Sequence, residues 1–185
     1  MPEWPNGTAS RAVGLVPTQV QILSAAFYGG VQLINATVCL PIRNEQEISL
    51  GLKLQKVGAG KYNGYGGKKT DADKTIEDTA RRELKEEAGI EAEDLEKVAE
   101  LTFYWPQKPD WNQLVHVYVT RRWKGEIYAA EPDKITPEWH SLDKVPYDRM
   151  MPADQHWLPK VLKGEYVQAT FVYNADNGLE SFVFG

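Results

Sequence analysis

One segment restricts the fold more than any other: Ile76–Ala88, closed at both ends by residues that start and stop an α-helix. Thr75 is an N-cap side chain, and Asp78 three residues later completes a variant of the capping box. Glu77 and Asp78 oppose the positive end of the helix dipole, and Gly89 supplies the left-handed position that terminates the helix. Ile76, Ala80, Leu84 and Ala88 recur at every fourth residue, a stripe that must be buried, here against a sheet. Glu83, Glu86 and Glu87 stand at i, i+3 and i+4, so three carboxylates share one face within a turn. Like charges at this spacing cost roughly 0.2–0.5 kcal/mol per pair on an exposed helix. Taken alone, such a run is a solvated face. Oxygen-rich clusters of this type also suit a hard divalent cation such as Mg²⁺, held through carboxylates, waters and substrate phosphates. A glycine-rich loop, Gly58 to Gly67, lies just upstream.

The chain around this helix reads as alternating strands and turns. Residues 31–42 and Ile48–Leu54 are rich in β-branched and aliphatic residues and flank a polar turn at 44–47, which predicts a hairpin. Further strands are expected at Leu101–Trp105, Leu114–Thr120 and Ile135–Leu142. A second helix is expected at Ala153–Leu162, with Pro159 tolerable only near its first turn. The segments Tyr166–Tyr173 and Leu179–Phe184, joined through the turn Asn174-Ala175-Asp176-Asn177-Gly178, predict a final hairpin. Residues 1–30 show no sustained periodicity and are expected to form an extension packed loosely on one domain spanning 31–185, with a short strand or helix at 20–28.

With 185 residues, the chain has room for one well-buried core. Its 21 basic and 26 acidic residues give a net charge of −5, without the clustered Lys and Arg that bind a nucleic-acid polymer. The lone cysteine, Cys39, cannot form an intramolecular disulfide and reads as core. The N-terminus lacks the pattern of a secretory signal, and no apolar run reaches a membrane span, so a cytoplasmic protein without a membrane partner is expected.

The segment Gly67–Ile90 resembles the signature of the Nudix hydrolases, Gly-x5-Glu-x7-Arg-Glu-U-x-Glu-Glu-x-Gly-U with U aliphatic, and Arg82 to Ile90 match it at every defined position. The resemblance implies an α/β fold, a mixed β-sheet sandwiched between helices. In the first half the pattern departs: the signature glutamate falls at Lys74, one extra residue follows Gly67, and Asp71, Asp73 or Glu77 are the candidates to replace it. Over residues 36–185 the chain is similar to the subfamily that hydrolyses oxidised purine nucleoside triphosphates such as 8-oxo-dGTP. This implies cleavage to the monophosphate and pyrophosphate, with Mg²⁺, or Mn²⁺ in its place, and a small nucleotide as substrate.

Carried over by position, Glu83 is base and metal ligand, Glu86 and Glu87 are ligands, the Gly67 carbonyl is a further ligand, and Arg82 belongs to the catalytic group. A fourth carboxylate would come from a later loop, where the aligned residue is Lys134 and Asp133 or Glu131 would have to serve. Asn63 and Asp154 read the purine edge; Ala153 has lost a second acid, and Met151 replaces a stacking tryptophan. Trp157 is the tryptophan best placed to meet a base. Lys53 and Arg81 are phosphate or surface contacts, and His116, His140 and His156 are expected to be structural. Two other readings are a Nudix hydrolase of another nucleoside diphosphate derivative and a non-catalytic nucleotide-binding domain.

Overall fold

A computed structural model describes residues 32–55 and 58–185. The expected extension at 1–30 and its element at 20–28 lie outside the described residues. Among the described residues, ten strands and two α-helices follow one another: β1 Ile34–Arg43, β2 Glu47–Lys53, β3 Tyr62–Asn63, α1 Ile76–Ala88, β4 Glu91–Ala92, β5 Glu96–Tyr104, β6 Gln113–Thr120, β7 Trp123–Lys124, β8 Ile135–Ser141, α2 Asp154–Leu162, β9 Val167–Tyr173 and β10 Leu179–Phe184.

The first hairpin forms where the sequence places it. Its turn puts Asn44 and Glu45 both at φ 53°, closed by the Gln46 N–H donating to the Arg43 carbonyl at 3.1 Å. Such a turn matches the right-handed twist of the strands it joins. The main sheet runs β10-β9-β5-β6-β1-β2-β3, with β8 on β2. It is mixed: β1 pairs β6 and β5 pairs β9 in parallel, while β1–β2, β5–β6 and β9–β10 are antiparallel.

Side chains alternate across this sheet, and the central strands β1 and β6 feed a core on each face. In β1, Ala36 and Leu40 pack with Val117, Phe171 and Leu158 on one face, whereas Cys39 joins Tyr65, Tyr118 and the α1 stripe on the other. Ala80, Leu84 and Ala88 are buried there as expected. The Asp78 N–H donates to Thr75 Oγ1 at 3.1 Å, the Thr75 N–H donates to Asp78 Oδ2 at 2.9 Å, and Gly89 sits at φ 73°. α1 is therefore fixed in height and rotation, and its carboxylates are aimed by the stripe.

The second helix corrects one expectation. Pro159 lies in the second turn of α2, not the first, and the helix still runs to Leu162. Proline withholds one donor from the ladder there, but Trp157, Leu158 and Val161 are buried and hold the helix against the sheet. The strand expected at Leu101–Trp105 is longer, reaching back to Glu96, because Lys97 and Glu100 pair across its outer face at 2.6 Å and make its first half look like a loop. The pair β4–β7 was not anticipated. Among the described residues, no helix is long and apolar enough to cross a membrane.

Candidate active site

Arg82 is the hub of the charged end. Its Nε and Nη2 each donate to Asp73 at 3.0 Å, its Nη1 donates to Glu83 at 2.7 Å and Glu86 at 3.0 Å, and Nη2 also reaches the Lys68 carbonyl at 3.2 Å. Of the three candidates for the displaced signature acid, Asp73 is thus the partner of Arg82. Glu77 instead accepts from the Tyr118 hydroxyl at 3.0 Å, and Asp71 is exposed. A turn upstream holds the carboxylate: the Thr70 N–H and hydroxyl both donate to Asp73 Oδ2 at 2.9 Å. These donors, Arg82 foremost, hold the Asp73 carboxyl well below the usual carboxylate range.

The three helix carboxylates line one cavity of about 630 Å³ together with Gly67, Lys53 and Glu131. Burial raises the Glu83 carboxyl against the lowering effect of Arg82, and pushes Glu87 up to about 7, opposed by the Gly66 N–H donating to its Oε2 at 2.8 Å. Two glycines make this close packing possible. A Cβ on Gly66 would enter the Thr37 backbone, and one on Gly67 would run into the Glu83 carboxylate. The Gly67 carbonyl accepts from the Thr37 N–H at 2.9 Å, which leaves its second lone pair free.

The donor set is all oxygen, which fits a hard divalent cation. Among the described residues no three acidic, histidine or cysteine side chains converge into a finished cage; Arg82 draws Glu83 and Glu86 to itself. An open arrangement suits Mg²⁺, which is normally completed by waters and substrate phosphates. Of the later-loop carboxylates, Glu131 lines the cavity and Asp133 does not. Glu131 is paired with Lys134, which also lines the cavity. Lys53 lies close enough to lower the Glu87 carboxyl. Arg81 is no phosphate contact: it donates to the Ala92 carbonyl and ties α1 to β4.

At the other end, the cavity is lined by Asn63, Met151, Asp154 and Trp157. Asn63 Oδ1 accepts from the Gly64 N–H at 2.9 Å, which leaves its NH₂ as the group free to donate. Asp154 Oδ1 accepts from the Trp157 indole at 2.9 Å and Oδ2 from the Met151 N–H at 3.1 Å. The carboxylate therefore locks Trp157 in place and starts α2, and burial pushes it up to about 6. Where the second acid is missing, Ala153 is fully buried and its N–H donates to the Tyr173 hydroxyl at 3.2 Å. None of the three histidines lines the cavity: His116 bonds Asn35 at 3.1 Å, His140 packs edge-on to Tyr62, and His156 stacks on Phe182.

Sequence reasoning missed a wall. Phe103, Trp105, Trp111 and Tyr173 also line the cavity, with Trp105 stacked on Tyr173 at 4.9 Å between centroids and 7° between planes. Leu101, Phe103 and Trp105 alternate, a period-2 signal that marks them as one face; only the pairing of β5 shows which cavity that face meets.

Comparison with known proteins places this geometry. The NUDIX domain family model matches residues 33–161. An oxidized purine nucleoside triphosphate hydrolase of Mus musculus is 32% identical over 137 residues, 74% of this chain and 85% of that protein. A protein of the same name from Danio rerio is 37% identical over 116 residues, 63% of this chain and 72% of its own length. Among solved structures, the MutT protein of Bacillus halodurans superposes with a TM-score of 0.68 at 25% identity, covering 82% of this chain and 97% of that one. The family model spans well over half of the sequence, and the chain belongs to the Nudix family of hydrolases.

Proposed function

We propose that this Nudix hydrolase cleaves purine nucleoside triphosphates, oxidised ones such as 8-oxo-dGTP foremost, to the nucleoside monophosphate and pyrophosphate in the presence of Mg²⁺ or Mn²⁺. One observation carries the reading: a single cavity joins the Glu83, Glu86 and Glu87 face to Asn63, Asp154, Met151 and Trp157. A phosphate chain and a base attached to it can thus be held at once. The relatives from Mus musculus and Danio rerio, named for oxidised purine nucleoside triphosphates, support the substrate class.

Gly67, Glu83, Glu86 and Glu87 would hold the cation, with Glu131 as the later-loop carboxylate. Bound there, such an ion polarises phosphoryl oxygens and lowers the pKa of water. Glu83 accepts the proton of the attacking water as the phosphoanhydride bond breaks, and its raised proton affinity suits it to that task. Arg82 keeps the Glu83 carboxylate in one orientation, while Lys53 offsets the charge of the phosphates. The Asn63 NH₂ donates to a base carbonyl, Asp154 accepts from ring or amino N–H groups, and Trp157 and Met151 cover the base faces.

The test is pyrophosphate release from a nucleotide panel with Mg²⁺, for wild type and Glu83→Gln. The expected result is turnover of the oxidised purine triphosphate and a loss of at least about 100-fold in kcat for the variant. Absence of turnover for every triphosphate would refute the activity. Turnover insensitive to the substitution would remove Glu83 as the base.

A further inference from the structure

The floor of the cavity is one face of β1, β5 and β6. Ala36, Val38, Leu101, Phe103, Val115 and Val117 line it, all apolar. The same face carries Gln113, which also lines the cavity. In register, Gln113 lies opposite Phe103 of β5 on one side and Ile34 of β1 on the other, so its side chain starts among apolar neighbours. An amide at the first residue of a strand is ordinarily solvated and unremarked. Gln113 differs in three respects. It follows the period-2 pattern of the floor, it lines the cavity, and its amide makes no hydrogen bond with any described side chain or backbone group.

Its surroundings strengthen the case. Trp105 stacks on Tyr173, Trp111 meets Trp105 edge-on at 6.2 Å, and Lys108 covers Trp111 at 4.3 Å. This wall limits the water that would otherwise compete for the amide, and hydrogen bonds discriminate most where water is scarce. Trp105 itself is 7% exposed, and its indole N–H has no acceptor. A buried donor left unpaired is costly, so the wall has unused hydrogen-bonding capacity beside Gln113.

Oxidation at C8 of a purine adds a carbonyl oxygen there and places a proton on N7. That end of the ring then offers a donor beside an acceptor, whereas the unmodified ring offers an N7 acceptor beside C8–H. A primary amide is the complement of the oxidised form: its oxygen accepts from N7–H while its NH₂ donates to O8, two antiparallel hydrogen bonds of the kind by which amides read base edges. The C8 end lies across the ring from the edge assigned above to Asn63 and Asp154.

We propose that Gln113 is a specificity-determining residue that reads the N7–H and O8 pair of an oxidised purine from the apolar floor of the cavity. This rests on the purine reading of the previous subsection. It also supplies discrimination that the loss of an acid at Ala153 removes from the opposite edge.

The test compares kcat/KM for 8-oxo-dGTP and dGTP in wild type, Gln113→Leu and Gln113→Glu, with calorimetric affinities for the two monophosphates measured without turnover. Leucine keeps the bulk and removes both hydrogen bonds; glutamate keeps the polarity but cannot donate to O8. Both variants should lower the oxidised-to-unmodified ratio by about tenfold, the worth of a neutral hydrogen bond or somewhat more. The change should appear in KM and in monophosphate affinity. A merely structural role would move both substrates together and leave the ratio intact. If wild type shows no preference for the oxidised base, the oxidised-purine reading fails and this proposal with it. If wild type prefers it and both folded variants keep the wild-type ratio, the role of Gln113 alone is refuted.

Discussion

Replacing Asp73 by asparagine tests the most specific departure of this chain from the Nudix signature. The side chain is 4% exposed and accepts two hydrogen bonds from Arg82 and two from Thr70. Asparagine keeps one acceptor and turns an NH₂ toward the guanidinium, so at least one charge-assisted bond is lost, each worth about 1.5–3 kcal/mol. Breaking a fully buried ion pair costs about 3–5 kcal/mol. Arg82 is 27% exposed and keeps Glu83 and Glu86, which moderates the loss to about 2–3 kcal/mol. For a chain of this size that lowers Tm by about 5–10 °C, measurable by calorimetry. Because the folded carboxyl is held below its unfolded value, its contribution is present above about pH 4 and lost as pH falls through and below that value. The gap between wild type and variant should therefore close in acid. Activity should fall as well, through kcat, since Arg82 orients Glu83. Adding Lys74→Glu to the variant restores a glutamate at the counted signature position. Recovery of stability and rate by that second change, or a loss below about 0.5 kcal/mol from the first, would refute the assignment of Asp73.

Gly67→Ala drives a methyl into the Glu83 carboxylate; overpacking of this kind costs about 1–3 kcal/mol, and kcat should fall by more than KM changes in steady-state assays. Glu45→Gly relieves a side chain held at φ 53° and sacrifices only an exposed pair with Arg121, so urea denaturation should show a gain of about 0.5–1 kcal/mol. Asp154, raised to about 6 by burial despite its bonds to Trp157 and the Met151 N–H and the field of Lys61, and with Tyr173 close by, favours its neutral form in the fold. Its cost to stability should grow as pH rises from about 4 to 6 and stay constant above; melting curves of wild type against Asp154→Asn across that range check the sign.

What could be read along the chain was what short-range chemistry dictates. The ends of α1 are fixed by Thr75, Asp78 and Gly89 within one turn of the helix, and the turn at Asn44 by its own neighbours, so both were visible without a third dimension. The parallel pairing of β5 with β9 joins segments more than sixty residues apart, such as Ala99 with Val167, and carries no local mark. Lys97 and Glu100 hid the first half of β5 because paired charges on a strand resemble a loop. Asp73 was one of three candidates because the count back from Arg82 lands on Lys74; the hydrogen bonds of Arg82 and Thr70 to Asp73 single it out. The aromatic wall was legible as a face and illegible as a lining for the same reason.

The net charge of −5 takes on a more specific meaning when the charges are followed in space. Asp73 occupies two of the nitrogens of Arg82, and the remaining one is divided between Glu83 and Glu86. Glu87 has a backbone N–H and the field of Lys53. Glu131, a further carboxylate lining the cavity, is matched by Lys134. The cations present therefore orient carboxylates without neutralising the cluster, and burial amplifies what is left because water screens it poorly. A stable fold with no other demand on it would fill that deficit with another lysine on the exposed side of α1. Half-buried and undercompensated, Glu83 and Glu87 fit the proposed reading, in which compensation arrives with the ligand in the cavity they line.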